Sequence, residues 1–183
     1  FTYNVPVREG YTWSDGSPIT ANDWEFTFDT VKSLSLGGNF LSSYPYSCED
    51  EEGTAKNCVV SVVASDDYTV SITFNYDPGL STWQYGTAQG IAFSKAYWEQ
   101  YATDKETLYA HDATNAPVAS AFVYDKLEQG AFYTWKYDAN TMWYGGTTTI
   151  YDGGGTSVDW DNGKAPAFSA DFGNTTGDSF SYE

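Results

Sequence analysis

Hydrophobic and polar positions alternate most cleanly along YTVSITFNY, residues 68–76. Tyr68, Val70, Ile72, Phe74 and Tyr76 fall on one face; Thr69, Ser71, Thr73 and Asn75 fall on the other. That period of two predicts a half-buried strand. VVSVVA, residues 59–64, predicts a second strand, and Ser65-Asp66-Asp67 joins the two most simply as an antiparallel hairpin over about 59–76. DPGLS, residues 77–81, ends it. Near the start, residues 3–9 read as a strand and WSDGSP supplies a turn, with Asp15-Gly16 favouring a reversal and Pro18 keeping Ser17 extended. Thr20 is an N-cap with Asp23 three positions on, and Trp24, Phe28 and Val31 follow at i, i+4 and i+7. A helix is predicted over about 20–36, with Lys32 suiting its C-terminal dipole and Gly37-Gly38 stopping it. Asp15, Asp23, Glu25 and Asp29 then read as turn, cap and surface residues.

FSKAYWEQYA predicts a second helix over about 94–102, with Phe93, Tyr97 and Tyr101 spaced by four. Residues 103–116 are polar and read as a surface connection, with a short helix near Lys105 to Tyr109. AFVYDKLEQG and AFYTWKYDAN read as two strands meeting around Gly130. In the second, Tyr133, Trp135 and Tyr137 share one face, read as packing between sheet and helix. Residues 1–146 thus carry the predicted helices and strands. Beyond them GGTTT, DGGG, DWDNGKAP and GNTTGD make residues 147–183 a Gly/Asp-rich excursion between core elements or a frayed end. The fold class is α+β, a mixed or antiparallel sheet with flanking helices.

Charge narrows the partners. The 183 residues hold 25 Asp and Glu against 8 Lys and Arg, a formal charge of −17, which argues against a nucleic-acid surface. It suits a solvated face, a saline setting or a negatively charged cell surface. No apolar run reaches the roughly 18 residues of a membrane-spanning helix. The chain begins at Phe1 rather than Met, which fits a processed chain or an excised segment. Cys48 and Cys58 bracket CEDEEGTAKNC. Their short spacing, with Gly53 between them, permits an intraloop disulfide and an extracytoplasmic address, and lacks the CxxC and His partners of a zinc site.

Candidate chemistry is sparse. His111, the only histidine, has no Ser or Cys placed by a motif to pair with it, so a surface or capping role is expected and an enzyme is not. No spacing selects a pair of carboxylates for glycoside hydrolysis. Asp159, Asp161 and Asn162, in DWDNG, offer closely spaced oxygens for calcium, but without the full EF-hand order they read as a solvated turn; no cofactor is expected. Asn174-Thr175-Thr176 matches a glycosylation acceptor by three residues only.

VREGYTWSDGSPITANDWEFTFDTV, residues 7–31, resembles the VREG, aromatic, DGxPxTAxDVxFTF segment of the extracellular solute-binding proteins of ABC importers, in the family that takes up oligopeptides, dipeptides and nickel. SVVASDDYTVSITFNY is similar to that family's strand pair around DDYTVTFTL, and FSKAYWEQY to its short helix after the ligand-side loop. AFVYDKLEQGAFYTWKYDANTMWYGG resembles its PYKLKEWKPGExxxLxRNPDYWGG. Four blocks stand in order over about residues 5–146. VASAFVY departs from the usual GTGPY, and the cysteine loop and Gly/Asp-rich tail are not general family features.

The resemblance implies part of the first lobe of a type II periplasmic-binding-protein-like fold, a fragment of a two-lobed protein. It also implies non-catalytic binding of an oligopeptide or similar solute and hand-over to an ABC permease. The location implied is periplasmic or cell-surface, with a lipid anchor on the full-length protein. It places Trp83 and Tyr85 on a loop facing the ligand cleft, with Tyr44, Tyr46 and Phe122 as further aromatic candidates, each weighed against ordinary core packing. The alternative is a cell-surface or extracellular adhesion or assembly protein that reuses this architecture.

Overall fold

The computed structural model describes residues 1–80, 86–87, 90–120, 122–128, 130–137, 147–151 and 157–161. The chain divides into two units, one of Phe1–Gly10 and Ser17–Ala116, the other of Tyr11–Gly16 and Pro117–Glu183. The opening motif therefore contributes to both: its WSDG turn belongs to the second unit and its helix to the first.

In the first unit, strands β1 (Thr2–Pro6), β2 (Val59–Asp66) and β3 (Thr69–Phe74) form an antiparallel sheet in the order β1-β3-β2. The alternation of β3 carries through: Val70, Ile72 and Phe74 are buried, and Thr69, Ser71 and Thr73 are half-buried on the other face. That second face is a hydroxyl-rich surface, on which Thr2 Oγ1 meets Thr73 Oγ1 at 3.0 Å and Ser71 donates to Asn4 Oδ1 at 2.7 Å. The hairpin turn is set by Asp66, whose carboxylate accepts the Tyr68 N–H at 2.8 Å.

Helix α1 (Ala21–Ser33) lies over the apolar face, burying Phe28 and Val31, with Trp24 packed at the margin of the core. It ends short of the residue-36 boundary expected from Gly37-Gly38. Leu36 N–H returns to Val31 O at 2.9 Å and Ser35 N–H to Lys32 O at 3.3 Å. That is a Schellman stop, with Leu36 and Val31 in one apolar cluster as its hydrophobic contact. Ser35 takes the left-handed position at φ 51, where glycine is usual, so glycine spacing misplaced the boundary.

Helices α2 (Asn39–Ser43), α3 (Lys95–Trp98) and α4 (Lys105–Ala110), with a 3-10 turn at Ala113–Asn115, are the other helices among the unit's described residues. The helix expected over 94–102 is thus a single turn. After Trp98 the chain tightens, with Tyr101 and Ala102 N–H both donating to Trp98 O. The short helix expected near Lys105 is present, capped by Asp104, whose carboxylate accepts Thr107 N–H at 2.8 Å. Cys48 and Cys58 are joined in a disulfide. Asn75 holds the foot of that loop, accepting Cys58 N–H at 2.9 Å and donating to Lys56 O at 2.8 Å.

In the second unit, β4 (Phe122–Glu128) and β5 (Phe132–Tyr137) form the expected antiparallel hairpin around Gly130, which takes φ 80. Strands β6 (Thr147–Tyr151) and β7 (Ser157–Asp161) form another. The sequence reading missed this second hairpin, because the glycines around it outweighed the β-branched run TTTI. Asp159 and Asp161 lie within β7 rather than in a turn. Asn162 and Asn174 fall outside the described residues.

Candidate functional site

Two arrangements stand out, a half-buried one in the first unit and an exposed one in the second. In the second unit the β4–β5 register shifts between Tyr124 and Lys126, leaving Asp125 as an extra residue whose carboxylate accepts the Thr134 hydroxyl at 3.2 Å. A bulge changes which side of the sheet the following residues occupy. Here it brings Leu127 onto the face shared by Phe122 and Tyr124 and turns Lys126 to the other. Across the pair, Tyr124 stands opposite Trp135, Leu127 opposite Tyr133 and Phe122 opposite Tyr137.

One face of the hairpin is consequently aromatic and apolar, and much of it is open. Phe122 is 49%, Leu127 58%, Tyr133 65% and Trp135 50% exposed. Tyr124 and Trp135 meet edge to face at 5.8 Å between centroids, and Tyr133 and Trp135 at 6.5 Å. The packing of sheet on helix expected for the Tyr133–Trp135 stripe is therefore corrected: these two rings are surface residues. Rings fixed by cross-strand neighbours lose little entropy when a flat apolar group stacks on them.

In the first unit, His111 is the C-cap of α4 and sits among rings. Its imidazole stacks on Tyr101 at 3.6 Å and 16°, meets Trp98 edge-on at 5.4 Å, and shares a 3.0 Å hydrogen bond with the Tyr97 hydroxyl through Nε2. Burial, then Tyr101 and Asp112, push the Tyr97 phenol upward from its ordinary value. Tyr101, Glu106, Thr107, Ala110 and His111 line a concavity of 460 Å³ beside this cluster. A capping role was expected for His111; the aromatic cage around it was not read from the sequence, although the spacing of Tyr97 and Tyr101 points toward it. Among the described residues no group of three or more His, Cys, Asp or Glu is gathered to hold a metal ion.

The other aromatic candidates separate. Trp83 and Tyr85 lie outside the described residues. Tyr44 is 0% exposed, edge to face with Phe28 at 6.1 Å, and its hydroxyl lies against Gly90. It is a core residue rather than an accessible ligand contact, and burial raises its phenol well above the ordinary value. Tyr46 is half-buried, packs on both apolar clusters of its unit and donates to Leu36 O at 3.4 Å. Phe122 is the candidate that stands on an open aromatic surface.

Comparison with known proteins agrees with this architecture. The family model of bacterial extracellular solute-binding proteins, family 5, matches residues 1–165. The chain belongs to that family, whose members are extracellular, non-catalytic accessory proteins of transport. It is 32% identical over 75 residues to the dipeptide-binding protein DppE of Bacillus subtilis, a match covering 39% of this chain and 14% of that protein.

Its fold is similar to the oligopeptide-binding protein AppA of Bacillus subtilis, solved with a nonapeptide (TM-score 0.59, 18% identity, 77% of this chain and 25% of that one). It is also similar to NikZ of Campylobacter jejuni, solved with Ni(L-His) (TM-score 0.50, 18% identity, 76% of this chain and 24% of that one). The chain thus spans about a quarter of the length of these solved proteins. The mixed α/β fold, with antiparallel sheets and flanking helices, is that of a type II periplasmic-binding-protein lobe.

Proposed function

We propose that these residues form part of the first lobe of a two-lobed, extracytoplasmic solute-binding protein. The whole protein captures an oligopeptide or similar solute and presents it to an ABC permease, and it carries a lipid anchor. The observation that carries this reading is the family match over residues 1–165. The open aromatic face at Phe122 and Trp135 supports the binding role. Rings of this kind stack on apolar or planar groups of a solute, and Phe122 is the ligand contact favoured among the described residues; Trp83 and Tyr85 remain candidates from the family resemblance. Capture requires closure of two lobes around the solute, and the ligand favours the closed population. A single lobe leaves most of a ligand's surface wet, so affinity belongs to the whole protein.

Relatives of one fold carry a nonapeptide in one case and Ni(L-His) in another, so the solute is found by screening. Thermal unfolding of the whole protein against di- to nonapeptides, oligosaccharides and nickel chelates is the test. A ligand at 100 times its Kd adds about 2.7 kcal/mol of stability, and an upward shift with one solute class is expected. A folded protein that no solute shifts, and that self-associates through the Phe122 face, would favour the adhesion or assembly reading instead.

A further inference from the structure

The concavity beside His111 in the first unit is built from two short stretches of chain. Tyr101 comes from the turn after α3; Glu106, Thr107, Ala110 and His111 come from one flank of α4 and its C-cap. The Tyr101–His111 stack supplies an aromatic wall, and both rings are half-buried. Glu106 is exposed, and its carboxylate has no hydrogen-bond or ion-pair partner among the described residues. The neighbouring cation is engaged elsewhere: Lys105 Nζ donates to Ser35 O at 3.3 Å and lies over the Tyr109 ring at 5.9 Å. Thr107 donates its hydroxyl to Asp104 Oδ2 at 2.7 Å, which leaves the oxygen able to accept. Thr107 and Ala110 also fall in the last four residues of α4, whose carbonyls have no partner within a helix. Asp104 and Asp112 add negative charge at either end of α4, their carboxylates accepting the N–H groups of Thr107 and Thr114. Acceptors and negative charge therefore dominate this corner of a chain whose formal charge is −17.

We propose that this concavity holds a guanidinium group, the side chain of an arginine on a peptide segment. Its size and its lining select that group. At 460 Å³ the space lies within the range of about 300–1,000 Å³ of small-ligand sites. A guanidinium is planar and rich in N–H donors, pairs with a carboxylate bidentately and stacks on aromatic rings. Glu106 and the Tyr101–His111 wall offer both partners. A lysine ammonium is a strongly hydrated point charge and gains less from the wall. A hard metal ion lacks ligands, since no group of three or more His, Cys, Asp or Glu is gathered here among the described residues. An arginine within a peptide is selected over the free amino acid, which brings an α-carboxylate toward Glu106 and Asp112. The proposal concerns the first unit alone and holds whichever solute the whole protein captures.

Methyl NMR of the whole protein at constant ionic strength tests it, read at the methyl groups of Thr107 and Ala110. N-acetyl-arginine amide is expected to shift both with saturation, at a midpoint concentration at least about threefold below that of N-acetyl-lysine amide. Glu106→Gln should raise the midpoint about threefold, the scale of an exposed ion pair. Glu51→Gln, the same charge change in the disulfide loop, should leave it where it was. Shifts that grow without saturating, equal midpoints for the two amides, a midpoint that Glu106→Gln does not move, or equal weakening by the two substitutions would each overturn the proposal. Free arginine binding more tightly than its capped amide would overturn the choice of a peptide segment. These shifts are local to α4, so a failure here is distinct from a failure of solute binding in the thermal screen.

Discussion

The carboxylate of Asp23, in the first turn of α1, accepts the backbone N–H of Lys95 at 2.8 Å across 72 residues of sequence. Its second oxygen accepts the N–H of Thr20 at 2.9 Å, so one buried side chain both caps its own helix and fixes where α3 begins. One turn along, the Thr27 hydroxyl donates to Asp23 O at 2.6 Å and accepts Phe93 N–H at 2.7 Å. Asp23→Ala strands two partly buried N–H groups and is expected to cost about 2 kcal/mol in urea denaturation. Asp23→Asn, which keeps one acceptor oxygen, is expected to cost less. Equal costs for the two would show that the carboxylate is not serving both donors.

Ser35 supplies the left-handed residue that stops α1. Relief of that backbone strain outweighs the entropy of a glycine, so Ser35→Gly should raise stability by about 0.5–1 kcal/mol. Gly38, at φ 65 and ψ −134, occupies a region open to glycine alone. Gly38→Ala should lower the midpoint of the same denaturation curve that Ser35→Gly raises.

A Cβ at Gly90 would overlap the Tyr44 hydroxyl and stand 2.6 Å from its ring carbon. Tyr44 has no room to yield, since it packs against Phe28 inside the core. Gly90→Ala is expected to cost about 1–3 kcal/mol. Tyr44→Phe removes a buried hydroxyl that has no hydrogen-bond partner among the described residues, so that variant should be neutral or more stable by about 1 kcal/mol. Phenylalanine keeps the ring carbon 2.6 Å from that Cβ, and Thr87 O stands 2.9 Å from it, so the double variant should recover only the part of the Gly90→Ala cost that the hydroxyl imposes.

Legibility followed the range of the interactions. The β2–β3 hairpin and the start of α1 could be read because strand period and an N-cap are local signals, carried by residues such as Val70, Ile72, Thr20 and Asp23. The end of α1 could not, since a serine takes the position that glycine usually marks. The aromatic face of β4–β5 was half legible. Tyr133 and Trp135 alternate openly, but Leu127 joins them only through the bulge at Asp125, which no period of two foresees. For Tyr44 the sequence left ligand contact and core packing both open, because its burial depends on Phe28 and Gly90, outside its own loop. Family membership was the most legible property, because four motif blocks stand in order. Among the ligand contacts expected from it, Trp83 and Tyr85 lie outside the described residues.

Asp104 gives a pH dependence of known sign. Hydrogen bonds from the backbone and hydroxyl of Thr107 lower its carboxyl below the ordinary 3.8. A group depressed by folding stabilises fully above its unfolded value, and the contribution is lost as pH falls through the folded value. Stability should therefore decline as pH drops below about 4, and more steeply in the wild type than in Asp104→Asn. Parallel slopes in the two proteins would contradict the capping role.

On the β4–β5 hairpin, Phe122 and Trp135 share the aromatic face, and Phe132, also exposed, occupies the opposite one. If that face meets the solute, Phe122→Ala and Trp135→Ala should each weaken binding by about tenfold, or about 1.4 kcal/mol, with Phe132→Ala close to wild type. Loss in all three would indicate a damaged hairpin rather than a contact surface.

Calorimetric titration of the whole protein with the solute class selected by thermal screening tests solute binding most directly. One saturable site is expected, with a negative heat-capacity change from burial of apolar surface between the lobes. A folded protein that gives no saturable heat with any peptide, oligosaccharide or nickel chelate would contradict it.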